Sequence, residues 1–267
     1  MKRLLGLYRE EEFSPGRHAS NDVLILEAVA DCLRKRGCAV DLRSPEVGAK
    51  QPSADLVFSM LQGKSALEEL LNWEKSGARI VNRPQAALNT HRDRLPALMQ
   101  SAALSFPPTE LLSTNSTRHS LQPADGIWLK RGDVHASVAA DVQRVDSEAA
   151  LAAGLNGFAR RGIAQAVLQT HRAGDEIKFY GVGESDFFHW FYSSTAEPYP
   201  LSEAELRSLA AQAARVAGLD IFGGDVIVAP TGELTLIDLN DWPSFAPCRE
   251  AAAPAIAELI LRRLHAD

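Results

Sequence analysis

Two acidic residues and one amide near the end of the chain have the types and spacing of a metal site. Asp238 and Asn240 lie two residues apart in the apolar run LIDLND, which a Trp-Pro turn follows. Upstream, the run GGDVIV carries Asp225 and leads into PTGE, where Gly232 supplies the positive φ of a tight turn. The sequence therefore predicts a β-hairpin with an acid on each strand.

The register of this hairpin predicts that the three side chains share a face. With Thr231 and Gly232 as the central turn residues, three cross-strand pairs follow: Ala229 with Leu234, Ile227 with Leu236, and Asp225 with Asp238. Side chains of period two then place Asn240 on the same face as the acids. Opposed like charges destabilise a sheet, and a bound cation removes that conflict. Oxygen ligands without Cys or His suit Mg²⁺, with Mn²⁺ as the alternative, completed by substrate phosphates. The competing interpretation is that each acid is solvated at a strand end.

Length and composition exclude several functional classes. The chain has 267 residues, 46% hydrophobic and 23% charged, with no apolar run long enough to span a membrane. Its net charge of −6 and lack of a basic block argue against nucleic-acid binding. The start MKRLLGLYRE is too short in its apolar part for a signal peptide and is typical of a first strand. An odd, sparse cysteine count indicates a reduced, cytoplasmic setting.

The pattern along the chain changes at about residue 86. Strand and helix signals alternate over residues 1–85, which predicts a small parallel α/β domain. From residue 86 helices are separated by strands that follow one another directly. Ligands sit at the carboxyl ends of parallel strands, so the polar loop REEEFSPGRHASND after the first strand is a candidate substrate loop.

Four segments occur in an order and spacing that carry a family resemblance. They are NRPQAALNTHRDRLPALMQSAALSFPPT, GIWLKR, IAQAVLQTHRAGDEIKFYGVG and GLDIFGGDVIVAPTGELTLIDLNDWPSF. Together they resemble the nucleotide-binding segments of the ATP-grasp superfamily, in its glutathione-synthetase-like and ribosomal-protein-modifying branches. The resemblance covers most of residues 80–245. It implies an ATP-grasp fold behind the N-terminal parallel α/β domain, with ATP between two α+β subdomains at residues 86–168 and 169–267.

The resemblance implies a role for each matching residue. The implied nucleotide contacts are Lys130 and Lys178 at the phosphates, Gln169, Thr170 and His171 at the adenine edge, and Glu176 at the ribose, with Asp175 as the alternative to Glu176. The implied metal ligands are Asp225, Asp238 and Asn240, and Lys178 also takes a catalytic role. Phosphoryl transfer is catalysed mainly by positioning and charge neutralisation, which lysines and magnesium supply. Lys130 ends the apolar run IWL, which favours a site over a solvated surface.

The chain also departs from the family pattern. Only Arg92 and Arg94 stand where a first lysine is usual; the local pattern RDRL favours Arg94, and helix length favours Arg92. The phosphate-covering loop RGDVHASVAAD has one glycine, and His135 is its candidate phosphate contact. Asp238 stands where many members have Glu, and Ser244 where a glycine often follows the proline. Arg249 is the candidate replacement for an arginine near the acyl phosphate.

The predicted activity is that of an ATP-dependent ligase. It would join a small-molecule or peptide carboxylate to an amine, or less often a thiol, through an acyl phosphate, and the sequence has no G-x-S-x-G or Cys–His signature that would indicate a side-chain nucleophile. The alternatives are a small-molecule kinase and a non-catalytic nucleotide-binding protein on the same fold. The candidate substrate contacts are Ser14, Arg17, His18 and His189, with Trp190 and Tyr192 beside the last. The oligomeric state stays open, with a homodimer as one option.

Overall fold

The computed structural model describes residues 1–14, 17–44, 51, 53–116, 118–123, 126–133, 138–193 and 197–266, without the side chains of residues 17–19. Three four-stranded sheets organise it. The first sheet is parallel, as the alternating pattern predicts, with strand order β2-β1-β3-β4. Its elements are β1 (Arg3–Leu7), α1 (Arg17–Lys35), β2 (Ala39–Arg43), β3 (Leu56–Ser59), α2 (Lys64–Lys75) and β4 (Ile80–Val81).

The second and third sheets are antiparallel and follow two short helices, α3 (Pro84–Asn89) and α4 (Leu95–Ser101). The second sheet has the order β5-β8-β6-β7. It comprises β5 (Thr109–Ser113), β6 (Ile127–Arg131), β7 (Val142–Val145), α5 (Glu148–Arg160) and β8 (Gln165–Thr170). The third has the order β10-β9-β11-β12. It comprises β9 (Asp175–Val182), β10 (Phe188–Tyr192), α6 (Glu203–Ala217), β11 (Ile221–Val228), β12 (Leu234–Asp241) and, after it, α7 (Arg249–His265).

Helices α5 and α6 begin at serines that cap their first turns. Ser147 and Ser202 cap α5 and α6 by accepting backbone N–H groups, from Ala150 and Glu205 respectively. Gly218 ends α6 in the left-handed region with φ of 81°, which a residue with a Cβ adopts only at a cost. No helix among the described residues has both the length and the apolar composition needed to cross a membrane.

Helices pack on each sheet, but the hydrophobic cores do not follow the predicted domain boundaries. Helix α7, from the end of the chain, packs with α1 in the core of the first sheet. Helix α4 packs with α6 against the third sheet. Strand β8 continues through residue 168 to Thr170 as part of the second sheet. The boundaries at 85/86 and 168/169 remain predictions, and the packing shows that residues on either side of each share a core.

The hairpin of β11 and β12 differs from the predicted register near its turn. The Gly232 N–H donates to the Ala229 carbonyl and the Ala229 N–H to the Glu233 carbonyl, so the loop has three residues rather than two. The pairs next to the loop are Val228 with Leu234, Ile227 with Thr235, and Val226 with Leu236. The predicted pairings of Ala229 with Leu234 and of Ile227 with Leu236 are therefore wrong. Ile237 is an extra residue, a β-bulge, and beyond it Asp225 faces Asp238 as predicted.

Candidate active site

A buried lysine on the second sheet forms one wall of the candidate site. Lys130 on β6 is 7% exposed, and its Nζ donates to Gln169 Oε1 on β8 at 2.7 Å. Burial lowers the pKa of Lys130 to about 8, although the Asp238 carboxylate opposes this effect. Gln169 Nε2 reaches towards the Ile237 carbonyl of the third sheet at 3.5 Å. Lys130 and Gln169 thus lie where the second and third sheets face each other.

Arg92, from the connection between α3 and α4, closes the same space. Its Nη2 donates to Asp238 Oδ2 at 3.0 Å, and both side chains are nearly buried, 8% and 12% exposed. Arg92 Nε and Nη1 are buried without a hydrogen-bond partner among the described residues. Buried donors are normally paired, so these two are available for an acceptor that a ligand brings. Of the two arginines that the sequence left open, Arg92 is the one that contacts the predicted metal ligand.

A second ion pair lies beside the first, on the third sheet. Lys178 and Asp225 are cross-strand partners on β9 and β11, and Lys178 Nζ lies 2.8 Å from Asp225 Oδ1 and 3.0 Å from Glu176 Oε1. Burial lowers the pKa of Lys178, but the Asp225 and Glu176 carboxylates outweigh it and hold that pKa above its usual value. Burial raises the pKa of Asp225 against the effect of Lys178. Lys130 interacts electrostatically with the charged groups of both ion pairs, namely Asp238, Arg92, Asp225 and Glu176. These four residues, Lys130 and Lys178 therefore form one cluster.

The predicted magnesium ligands come together on one face of the hairpin. Asp225 faces Asp238, and Asn240, half-buried, lies two residues further along β12 opposite Gly223. Three oxygen-bearing side chains of this kind fit a hard cation that phosphates complete. No group of three His, Cys, Asp or Glu side chains forms a metal site by itself within the part of the chain that the structure describes. The metal site therefore stays a prediction that depends on Asn240 and on a bound phosphate.

The charge conflict from which that prediction started has another resolution in this structure. The opposed carboxylates of Asp225 and Asp238 are each paired with a cation, Lys178 and Arg92 respectively. A bound metal is therefore not the only way in which their repulsion is relieved. Both acids do remain on the cleft face, one of them next to Lys130.

A cavity of about 10 Å³ lies between the second and third sheets, lined by Arg92, Lys130, Gln169, Ile237 and Asp238 among others. Pockets for small molecules are typically about 300–1,000 Å³, so this cavity by itself does not hold a nucleotide. The bond from the Leu236 N–H to the Ser105 carbonyl, at 3.0 Å, joins β12 to the segment that leads into β5.

The predicted adenine edge lies at the end of β8. Thr170 and His171 use their backbone N–H groups to bond the carbonyls of Pro108 and Gly126. His171 Nδ1 accepts from Trp128 Nε1 at 3.2 Å, which makes Nε2 the protonated nitrogen of a neutral ring. Burial lowers the pKa of His171, and Arg144 adds to this effect. Trp128 is two residues before Lys130 and so shares its face, a signal that the sequence analysis did not use.

Several predicted site residues lie outside this cluster. Arg94 lines a separate cavity of about 320 Å³ with Lys64, Asp93, Arg131 and others. Ser14 is buried and its hydroxyl donates to Asp22, so its predicted substrate contact is not available in this conformation.

Arg249, the candidate catalytic arginine, and His189, a candidate substrate contact, lie in two different places. Arg249, at the start of α7, donates to Asn21 Oδ1 at 2.9 Å and so lies beside the first turns of α1. His189 pairs directly with Tyr180 and shares the face of Lys178. Trp190 and Tyr192 point to the opposite face and pack against the core of the third sheet, which excludes them from the pocket.

Two further features complete the assignment of the candidate residues. Asp175, the alternative ribose contact, accepts the Tyr199 N–H at 2.7 Å, whereas Glu176 bonds Lys178 in the cluster. His135 lies outside the described residues. Arg17 and His18 begin α1, but their side chains also lie outside the description.

The sequence analysis missed the residues that fix the hairpin to the first sheet. Asn82 follows β4 and donates to Asp241 Oδ1 and to the Ile221 carbonyl, at 2.5 and 2.6 Å. Its Oδ1 accepts the N–H groups of Asp220 and Ile221, both at 2.8 Å. Arg9 Nη2 donates to the Trp242 carbonyl at 2.6 Å. A polar residue directly after a parallel strand was the available signal.

Comparison with known proteins identifies the fold. No family model and no curated protein matches the sequence. Among solved structures, D-alanyl-alanine synthetase A from Vibrio cholerae has a TM-score of 0.74 at 12% identity, over 98% of this chain and 97% of that one. A RimK domain ATP-grasp protein from Sphaerobacter thermophilus has a TM-score of 0.71 at 16% identity, over 97% and 99%. A Bacillus anthracis D-alanine–D-alanine ligase complexed with ATP has 0.70 at 12%, over 99% and 97%.

Proposed function

We propose, with the ATP-grasp fold of this chain as the premise, that the protein is an ATP- and Mg²⁺-dependent ligase that joins a carboxylate to an amine or a thiol. The observation that carries this proposal is the charge cluster between the second and third sheets. It gathers Arg92, Lys130 and Lys178 around two facing carboxylates. Such an arrangement supplies the charge neutralisation that phosphoryl transfer needs.

Each cation of the cluster has a role that its position supports. Lys130 and Arg92 line the same small cavity, and both would bind phosphate oxygens of ATP. Lys178 lies across the cluster and would neutralise the oxygens of the transferred γ-phosphoryl group. Glu176 would accept hydrogen bonds from the ribose hydroxyls once Lys178 turns to the phosphates. Bound Mg²⁺, held by Asp225, Asp238 and Asn240, would withdraw charge from the phosphate oxygens.

The reaction needs no nucleophile from the protein. A carboxylate oxygen of the substrate attacks the γ-phosphorus, the bond to the bridging oxygen breaks, and ADP leaves. The nitrogen or sulfur of the second substrate then attacks the acyl carbon, and inorganic phosphate leaves with the carboxylate oxygen. The chain's part is to hold the reactants in line and to exclude water from the acyl phosphate.

The substrate side of the site is best placed around Arg249 and His189. His189 shares the face of Lys178, and Arg249 lies beside the first turns of α1. Structural neighbours include alanine–alanine ligases and an ATP-grasp ligase, PsnB, complexed with a minimal precursor. On that basis the proposed substrates are amino-acid or peptide carboxylates with an amine partner.

A product assay tests the proposal. The protein is incubated with ATP, Mg²⁺ and pooled carboxylates and amines, and ADP, phosphate and new masses are measured. ADP with free phosphate and a new amide mass is the expected result. ADP with a phosphorylated metabolite would instead establish a kinase, and nucleotide binding without turnover in every pool would establish a non-catalytic protein.

A pair of variants makes the same assay specific to the site. Asp238→Asn removes the charge of a predicted metal ligand and should abolish turnover. Asp175→Asn makes the same chemical change on the third sheet, at a residue that bonds Tyr199 away from the cluster. It should keep most of the activity. Full activity in Asp238→Asn would contradict the assignment of the metal site.

A further inference from the structure

Both carboxylates of the predicted metal site are occupied by the protein's own cations. Arg92 Nη2 lies 3.0 Å from Asp238 Oδ2, and Lys178 Nζ lies 2.8 Å from Asp225 Oδ1. Asp238 Oδ1 also accepts the Leu239 N–H at 3.1 Å. In this conformation each carboxylate that would bind the metal is already paired with a positively charged side chain. A metal ion that approaches the two acids is therefore repelled by both cations.

The burial of this cluster makes that opposition strong. The Arg92 and Asp238 side chains are nearly inaccessible, so water screens their charges little. Lys130, also buried, adds a third positive charge that acts on the same carboxylates. With Glu176 included, the three acids of the cluster balance the three cations but do not also offset a divalent ion. The free protein should therefore bind a divalent metal weakly.

A triphosphate changes this balance. Arg92 Nε and Nη1 are buried donors without a partner among the described residues, and the planar guanidinium binds phosphate oxygens through two donors at once. The phosphate oxygens also offer Lys178 an acceptor other than Asp225. Once the cations turn to the phosphates, the carboxylates are released to the metal, and the triphosphate supplies further oxygen ligands.

We propose that Arg92 and Lys178 guard the metal ligands, so that this chain binds its divalent metal only together with the nucleotide. This inference rests on the proposed function for the identity of the nucleotide site. Arg92 is the principal guard, because its ion pair is the more deeply buried of the two. It is a positioning residue for the metal as well as a phosphate contact.

Enhancement of water-proton relaxation by Mn²⁺ tests the guard without any turnover. The full chain is titrated with Mn²⁺ alone and then with Mn²⁺ and a non-hydrolysable imido analogue of ATP. Wild-type protein should give enhancement only with the analogue, beyond that of the Mn²⁺–analogue complex by itself. Arg92→Met should bind Mn²⁺ alone at least about tenfold more tightly than wild type, because it removes the buried positive charge that lies beside Asp238.

Two further variants keep the test decisive. Arg94→Met is the matched control, since its side chain lines a different cavity, and it should bind Mn²⁺ as wild type does. Lys178→Met, at a more exposed position, replaces Arg92→Met if that variant does not fold, with the same expected gain. Tight Mn²⁺ binding by wild-type protein alone, or no gain in either guard variant, would overturn the proposal.

The outcome separates this inference from the ligase proposal. Mn²⁺ binding requires no carboxylate or amine substrate, so a gain in Arg92→Met stands even if no ligation product is found. Conversely, if the wild-type protein has ligation activity but binds Mn²⁺ without nucleotide, the inference about Arg92 and Lys178 is wrong and the proposed function stands.

Discussion

At the scale of single residues, Lys130 carries the clearest electrostatic signature. Its ammonium group is buried beside Gln169, and its pKa is lowered to about 8. Below that pH the Lys130 side chain is charged and attracts phosphate. Above that pH it is neutral, and phosphate binds only when Lys130 takes up a proton again. Nucleotide affinity should therefore fall by about tenfold between roughly pH 7 and pH 9.

Calorimetric titration with the non-hydrolysable analogue at several pH values measures this dependence. Lys130→Arg keeps its charge over the whole range, so its affinity should vary much less. Lys130→Met should bind weakly at every pH. A wild-type affinity that stays constant up to pH 9 would show that Lys130 does not contact the phosphates.

Neighbouring acids on β9 give a second prediction at this scale. Glu176 bonds Lys178 within the cluster, whereas Asp175 bonds the Tyr199 backbone. Glu176→Gln should raise KM for ATP several-fold, and Asp175→Asn should leave it near the wild-type value. The two variants remove the same charge one residue apart. If only Asp175→Asn raised KM for ATP, Asp175 and not Glu176 would be the ribose contact.

At the scale of elements, two consecutive glycines let β11 pack between its neighbours. A Cβ on Gly224 would lie 2.5 Å from the Asp238 carbonyl oxygen and 2.6 Å from the Phe179 ring. Gly224→Ala must therefore displace β12, which carries the predicted metal ligands. It should lower the free energy of unfolding by about 1–3 kcal/mol, measured by urea denaturation. It should also weaken nucleotide binding.

Gly157→Ala is the contrasting change. Gly157 lies within α5, where an added Cβ meets no atom within 4 Å. Alanine there restricts the unfolded chain and favours the helix, so the protein should gain about 0.5–1 kcal/mol. Equal effects of the two substitutions would contradict the packing described for β11.

The hairpin shows how far sequence patterns determine an element. Alternation and turn residues predicted that Asp225 faces Asp238, and they do face each other. That result depended on two deviations that cancel: the loop has one residue more than predicted, and the bulge at Ile237 shifts the register back. Local turn chemistry fits both loop lengths, so the turn residues alone do not distinguish them.

At the scale of the whole molecule, contacts between distant segments decide what the sequence could not. The sequence placed the charged residues on the correct strands, because each strand has a local pattern. It did not predict that Arg92 and Arg94 face different cavities or that Ser14 bonds Asp22, since these depend on how separate elements pack. The parallel first sheet followed from the alternation of strand and helix signals, whereas the order of the strands within each sheet was not predicted.

The contact between the first sheet and the hairpin gives a pH-dependent prediction. Burial raises the pKa of Asp241 to about 7, against the hydrogen bond from Asn82. The unfolded value is about 4, so the folded protein holds this proton more tightly. The stability from this group is fully present below about pH 4 and is lost as the pH rises through about 7.

Comparison with an uncharged side chain isolates that contribution. In the wild-type protein, this group should lower the free energy of unfolding by on the order of 3 kcal/mol between about pH 4 and pH 8. Asp241→Asn should not show that decrease, because its amide does not titrate in this range. Urea denaturation of both proteins at several pH values measures the difference between them. A constant difference would show that Asp241 does not bind this proton in the folded state.

The central claim is that a carboxylate, and not water, attacks the γ-phosphate of ATP in the cleft between the second and third sheets. The most direct measurement is the isotopic composition of the phosphate formed in water enriched in oxygen-18, with the pooled carboxylates and amines present. A ligase takes the fourth phosphate oxygen from the carboxylate, so we expect phosphate without solvent oxygen, in amounts equal to the amide formed. Phosphate that carries one oxygen-18 atom from the solvent would show ATP hydrolysis instead and would contradict the account.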